Sequence, residues 1–429
     1  MNRFIAVKVG KGDAFYLENM EISFLVDGGA SKTKLPSLLN EANILNDIDI
    51  IVCTHSDEDH VNGLIGYFQS NKKCKEVWLP GSWMSRLDDM LNRPNDFIKE
   101  LIENISDLDE DFLLYNGNTL EEIGNFISQR RSDLDINLDN ESETHFPVLP
   151  YRNNNIESSF EVLKDESRYD KATKDEHNDN ESPEECSPNE RKRSFSQENL
   201  SRFVNELNNI PTNPFHQKKI SHPIKPFDRN KIFHSAINAA EKILELSTLA
   251  YNSGAKVRWF EYSNFRSGGG LKYFHPVNSI EIFQARKRLA LEFLCLTKAN
   301  IESLVFYAYN EDHSAGVLFC ADSNFSFQQR LDFLSDCLNL IVTAPHHGAE
   351  ANKIVYQKLA PYINSNTIFV RSDTRQSRTK SSPRPCIDYI NLTYIKYCTV
   401  CFGQQNKQDV MLNYTQSGWY PFKTTECIC

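Results

Sequence analysis

A chain of 429 residues, 40% of them hydrophobic, is long enough for one large domain with insertions or for two or three ordinary domains, and it has no run of about eighteen apolar residues that would cross a bilayer as a helix. Its eleven cysteines, odd in number and scattered, fit reduced thiols and argue against a disulfide framework. The net charge of −11 does not exclude a polyanionic partner, because residues 131–190 hold 17 Asp and Glu against 6 Lys and Arg, and everything outside that segment sums to zero.

Apolar alternation predicts strands over residues 4–9, 14–17 and 22–26, a proline-containing helix over 35–42, and a strand that ends at Thr54, with Gly10, Gly12, Gly28 and Gly29 in the turns. A helix beginning near Val61 and running through 64–69, a short strand at 77–79 and helices at 96–104 and 120–129 follow. From 131 to 230 apolar spacing is lost and Asn, Asp, Glu, Ser and Pro dominate; such a stretch buries too little to offset its ordering entropy. It reads as a solvated acidic insertion with one short helix at 197–208, and as the place where a protein partner would dock. Folding patterns resume with a helix at 232–251, strands at 257–262, 303–309 and 316–320, a helix at 326–337 and a strand at 338–344 that runs into Pro345-His346-His347-Gly348. The CxxC of Cys398 and Cys401 falls in a strand-like stretch, where residues three apart face opposite sides, so buried thiols fit it better than a structural zinc site completed by Cys427 and Cys429. Alternating strands and helices make the class α/β, with residues 1–130 and 231–429 as two halves of one domain around the 131–230 insertion.

The most informative stretch is Thr54-His-Ser-Asp-Glu-Asp-His-Val-Asn-Gly63. His55, Asp57, Asp59 and His60 lie within six positions, directly after a buried apolar run. A divalent ion needs several donors converging on one point, and a turn at the end of a rigid strand supplies them from alternate residues. The same turn can cap the following helix through Ser56 or Asp57.

Five segments now stand in order: Val9-Gly-Lys-Gly-Asp-Ala14, Phe24-Leu-Val-Asp-Gly-Gly29, the His55 to His60 turn, Leu318-Phe-Cys-Ala-Asp322 and Ala344-Pro-His-His-Gly348. In this order the chain resembles the metallo-β-lactamase fold, and in particular the soluble hydrolase domain of ComEC-type DNA-uptake proteins, over about residues 3–85 and 257–400. The resemblance implies an αββα sandwich with two divalent ions, manganese, zinc or magnesium, at the strand ends. His55 and Asp57 would hold one ion, Asp59 and His60 the other, and Asp322 would bridge them. His346 would be an extra ligand and His347 an acid or substrate contact. Asp27 and Asn300 would stand behind the ligands, and Asp13 would serve the turn. The commoner family turn is HxHxDH; here Asp57 takes the second ligand slot, an exchange shared with the ComEC-type group. An oxygen donor there hardens the site toward manganese or magnesium. Where many relatives have a ligand histidine this chain has Ala299, which implies a weakly held first ion, and a late His-Pro is replaced by Arg384-Pro385.

A bridged ion pair activates water against phosphodiesters, esters, lactones and thioesters alike, so the choice of substrate falls to the surroundings. The run from Arg371 to Arg384 carries four arginines and Lys380 against Asp373, and guanidinium forks onto phosphate oxygens. The expectation is a metal-dependent phosphodiesterase acting on DNA through a hydroxide generated at the ions, with Asp59, His60, His347 and Arg384 in catalytic roles. A hydrolase of a small phosphodiester, ester or lactone, and a non-catalytic scaffold with a degraded site, are the alternatives. No leader pattern occurs at residues 1–10, so a cytoplasmic protein without membrane contact is expected.

Overall fold

Short apolar runs flanked by polar turns become strands where both of their faces find cover. The computed structural model describes residues 1–108, 119–137, 196–212, 214–215, 228–372, 385–400 and 407–427, with 131–137 as backbone only. In chain order the strands are β1 (Arg3–Ala6), β2 (Phe15–Asn19), β3 (Ile22–Val26), β4 (Ile50–Val52), β5 (Glu76–Pro80), β6 (Lys256–Tyr262), β7 (Phe274–Pro276) and β8 (Ser279–Ile282). They continue with β9 (Phe306–Tyr309), β10 (Ala315–Phe319), β11 (Asn339–Thr343), β12 (Ile368–Arg371), β13 (Ile395–Cys398), β14 (Val410–Thr415) and β15 (Gly418–Pro421). Among the described residues they form a nine-stranded sheet, β15-β14-β1-β2-β3-β4-β5-β6-β8, and a six-stranded sheet, β13-β12-β11-β10-β9-β7. The larger sheet draws β1–β5 from before residue 131 and its other strands from after 230; the smaller one lies wholly after 230.

The centres of both sheets are parallel, β3-β4-β5-β6 in one and β10-β11-β12-β13 in the other. Parallel strands are covered on both faces and so carry unbroken apolar runs, here Ile50-Ile51-Val52 and Ile368-Phe369-Val370, all buried. The inner faces meet in an aromatic core that includes Phe24, Trp78, Phe260, Phe274 and Phe306, where the rings of Phe274 and Phe306 stack 5.3 Å apart. Helices including Glu58–Gln69, Arg229–Asn252 and Ala290–Thr297 cover the outer face of the large sheet. Ile354–Leu359, Ile387–Ile390 and short 3-10 turns cover the small one, which gives the αββα sandwich.

Several expectations are corrected. Residues 326–337 form no long helix, only the 3-10 turn Asp332–Leu334. Phe327, Leu331 and Leu334 have helical spacing, but the Gln328 N–H donates to the Asn264 carbonyl at 2.7 Å and the Gln329 amide to Ser263, so this backbone is fastened to a loop instead of to itself. The helices Gly81–Asn92 and Ala290–Thr297 and the strands β7, β8, β14 and β15 were not anticipated. The helix Gln197–Asn208, expected as part of a solvated insertion, buries Phe203 against Phe97. Residues 138–195, most of that insertion, lie outside the described residues. Cys398 and Cys427 are buried with their sulfurs 2.9 Å apart, while Cys401 and Cys429 lie outside the described residues. Among the described residues no helix is long and apolar enough to cross a membrane.

Two backbone crossings position the site. The Gly28 N–H donates to the His60 carbonyl at 2.8 Å and the Gly63 N–H to the Gly29 carbonyl at 2.9 Å, which seats the helix Glu58–Gln69 on the turn after β3. A Cβ on Gly63 would lie 1.8 Å from the Gly28 oxygen, so no other residue fits without moving the turn. Gly63→Ala is expected to lower unfolding stability by about 1–3 kcal/mol. Urea denaturation followed by circular dichroism measures this, and an unchanged midpoint contradicts the crossing.

Candidate metal centre

Parallel strands direct their carboxyl ends to one rim, and the site lies where the rims of the two sheets meet. β3 leads to Asp27, β4 to Thr54 and His55, β10 to Asp322, and β11 to His346 and His347. Helix geometry places the rest: the helix Glu58–Gln69 begins three residues before the expected Val61 with Asp57 as its N-cap residue, which puts Asp59 and His60 in its first turn. The Asp57 carboxylate makes no capping hydrogen bond and pairs instead with the Lys298 ammonium.

Asp27 organises this turn from behind. Its carboxylate accepts from the Thr54 N–H at 2.9 Å, the Thr54 hydroxyl at 2.8 Å and His60 Nδ1 at 2.8 Å. The Thr54 proton is thereby spent, so the Thr54 oxygen accepts from His55 Nδ1 at 3.0 Å. Both rings therefore carry a proton on Nδ1 and present Nε2 to the cleft. The same logic holds across the cleft. Asp13 Oδ1 accepts from His347 Nδ1 at 3.0 Å. Asn352 donates its amide protons to the carbonyls of Asp322 and Ser323, both at 2.9 Å, which turns its oxygen to His346 Nδ1 at 3.2 Å.

All four Nε2 atoms converge on one carboxylate. Asp322 Oδ1 lies 3.3 Å from His60 Nε2 and 3.9 Å from His347 Nε2. Asp322 Oδ2 lies 3.6 Å from His55 Nε2 and 3.4 Å from His346 Nε2. Asp59 Oδ2 joins the first pair, 3.8 Å from His347 Nε2. Donor atoms of His55, Asp57 and Asp322 fall within 4.8 Å of one another, as do those of Asp13, His60, Asp322 and His347. The cluster thus has two sides sharing Asp322, one with His55, Asp57 and His346, the other with Asp59, His60 and His347.

These donors fit a divalent ion and fit little else. His55 Nε2, His60 Nε2, His347 Nε2 and Asp322 Oδ1 are buried without a hydrogen-bond partner. Each such atom left bare costs about 1–3 kcal/mol, and cations held on the two sides of Asp322 would satisfy them. Electrostatics points the same way. Burial disfavours imidazolium at His60, but the Asp322 and Asp27 carboxylates outweigh it and hold the pKa well above the usual histidine value. His347, equally buried, is pushed up to about 9 by Asp13. Burial opposes ionisation of Asp322 too, yet His346 and His60 keep its carboxyl well below the usual range. In the metal-free protein, protons stand where positive charge is wanted.

Of the residues singled out in the sequence, His55, Asp57, Asp59, His60, Asp322, His346 and His347 come together, with Asp27 behind them. His347, expected only beside the ligands, is the histidine on the Asp59 and His60 side, whereas His346 faces the His55 side. Both take left-handed backbone, φ 46° and 55°, a conformation costly outside glycine and common where function constrains the chain. Asn300 donates to Glu121 Oε1 at 3.1 Å and lies 3.5 Å from His346 Nδ1. Asp13, expected to serve the turn, holds His347, and Lys298 was missed altogether. Arg371, counted in the basic run, is fully buried and donates to the His347 carbonyl at 2.8 Å, so it supports the histidine turn instead of facing a ligand. Arg384 and the rest of 373–384 lie outside the described residues.

Comparison with known proteins agrees with this geometry. Residues 7–145, which include Asp13, Asp27 and the His55 to His60 turn, match the model of the metallo-beta-lactamase superfamily. A stretch of 54 residues is 44% identical to the exodeoxyribonuclease WalJ of Streptococcus pneumoniae, in strain D39 and equally in strain R6. It covers 12% of this chain and only 20% of those relatives, so the chain matches a fifth of their length. With the four-layer sandwich, the histidine-aspartate turn at the β4 rim and the matched segment in agreement, the chain carries a domain of the metallo-beta-lactamase superfamily.

Proposed function

We propose that this hydrolase-family domain is a metal-dependent phosphodiesterase that cleaves DNA. The observation that carries the reading is the convergence of four imidazole Nε2 atoms on the Asp322 carboxylate with buried donors unsatisfied. Asp59, His60, His347 and Asp322 would hold one ion; His55, Asp57, His346 and Asp322 would face the other. Ions held there supply a water of lowered pKa and a positive charge for the attacked phosphoryl group. The chain's own part is orientation: Asp27, Asp13 and Asn352 fix each ring so that its lone pair meets the cleft. DNA as substrate is supported by the likeness to the exodeoxyribonuclease WalJ, by the carboxylates of Asp57, Asp59 and Asp322 among the donors, which suit ions that partner phosphate, and by the arginine-rich run ending at Arg384.

Linear duplex DNA with added manganese is expected to release nucleotides, and Asp322→Asn is expected to reduce that release at least about a thousandfold while abolishing tight ion binding. Turnover of a small phosphodiester or ester with DNA left intact would overturn the DNA assignment and retain the hydrolase.

Asp13→Asn tests the orienting role. Ion affinity should fall about 10- to 100-fold with little change in folding, as for other groups that hold a ligand imidazole. An unchanged affinity in calorimetric titration counts against it.

Ion binding should also depend on pH in a defined direction. At pH 7 the metal-free protein carries a proton on His347, whose pKa is about 9, and a cation must displace it. Affinity therefore rises as pH increases from 7 toward 9, and each binding event releases protons. Titration in two buffers of different ionisation enthalpy reads the release, and a pH-independent affinity without release contradicts the assignment of His347.

A further inference from the structure

The two sides of the cluster are unequal, and the inequality comes from a residue the metal-centre reading has not used. On the side of Asp59, His60 and His347 the donors face one another, with the Asp27 and Asp13 carboxylates accepting from the rings behind them and the Lys11 ammonium, about a third of its side chain exposed, 3.6 Å from Asp59. On the other side the Asp57 carboxylate is already engaged by the Lys298 ammonium. Side-chain exposure is 22% for Asp57 and 19% for Lys298, so water screens this pair poorly.

Lys298 is not a surface lysine that happens to reach inward. It is the C-cap residue of the helix Ala290–Thr297, where the helix end favours positive charge. The Thr297 carbonyl beside it accepts from the Ser56 hydroxyl at 2.7 Å and from the Ser56 N–H at 3.4 Å, so the stem of Lys298 is fastened to the very turn that carries Asp57. The chain therefore places a fixed positive charge on one of the four donors of this side.

Resting on the reading of this cluster as a metal centre, we propose that the Lys298 ammonium acts as the internal cation of the His55 and Asp57 side. The protein then binds one divalent ion tightly, between Asp59, His60, His347 and Asp322, and admits a second only by displacing Lys298 from Asp57. A monovalent ammonium and a divalent ion compete for the same carboxylate and repel each other at contact range, so the second ion binds at least about tenfold more weakly.

The test uses the full chain, stripped with chelator and titrated with manganese by calorimetry, with electron paramagnetic resonance to detect a spin-coupled ion pair. One tight ion per chain is expected for the wild type, without a coupled-pair signal at one equivalent. Lys298→Met should bring the second affinity to within tenfold of the first and generate the coupled-pair signal. Urea denaturation of the metal-free variant, and the parallel variant Lys298→Gln, guard against a folding defect. Two ions of equal affinity in the wild type overturn the proposal without any variant, and so does a folded Lys298→Met or Lys298→Gln protein that still binds only one ion. No ion bound by the wild type at all overturns the metal centre itself, a failure distinct from that of the Lys298 assignment.

Discussion

The carboxylate of Asp322 is the point on which the architecture of this protein turns. Its two oxygens are each approached by two imidazole nitrogens, from the turn after β4 on one sheet and from the turn after β11 on the other. Burying an ionised carboxylate is costly unless positive charge surrounds it, so the group is tenable only with both sheets in place. The positive charge that makes the rims compatible comes from the imidazoles that the two turns supply.

Support for that point is layered. Behind the imidazoles stand Asp27, Asp13 and Asn352, and behind His347 stands the buried Arg371 guanidinium. The loop that carries Asp13 is itself clamped, because the Asp13 N–H donates to the Asp59 carbonyl at 3.1 Å and Ser372 donates to the Gly12 carbonyl at 2.8 Å. A Cβ on Gly12 would fall 1.7 Å from the Asp59 oxygen, so the loop lies directly against the helix that carries Asp59 and His60. Six segments far apart in sequence thus share one small volume, and the strained backbone of His346 and His347 is held by their neighbours on all sides.

How much of this was legible beforehand depends on how local each feature is. The His55 to His60 turn could be read because its donors are contiguous and follow an apolar strand, and β3, β4 and β5 could be read from runs that are buried on both faces. The helix Gly81–Asn92 was equally available in principle: Trp83, Leu87, Met90 and Leu91 recur at helical spacing and are all buried. The segment 326–337 misled for the opposite reason. Its apolar spacing is helical, but its backbone donors are taken by a loop some sixty residues away, which no window of neighbouring residues records.

The amino-acid sequence by itself determined the chemistry of the donors, their order along the chain and the strand-and-turn units that carry them, because these follow from side-chain type and periodicity over a few residues. It could not distinguish His346 from His347, since adjacent residues share one motif and differ only in which way a left-handed turn points them. Nor could it pair Asp13 with His347, 334 positions apart, or Lys298 with Asp57, 241 positions apart. Those partnerships exist only when two sheets pack and bring their rims together. A hydrogen bond or an ion pair falls off within a few ångströms, so its partner is chosen by position in space and not by distance along the chain.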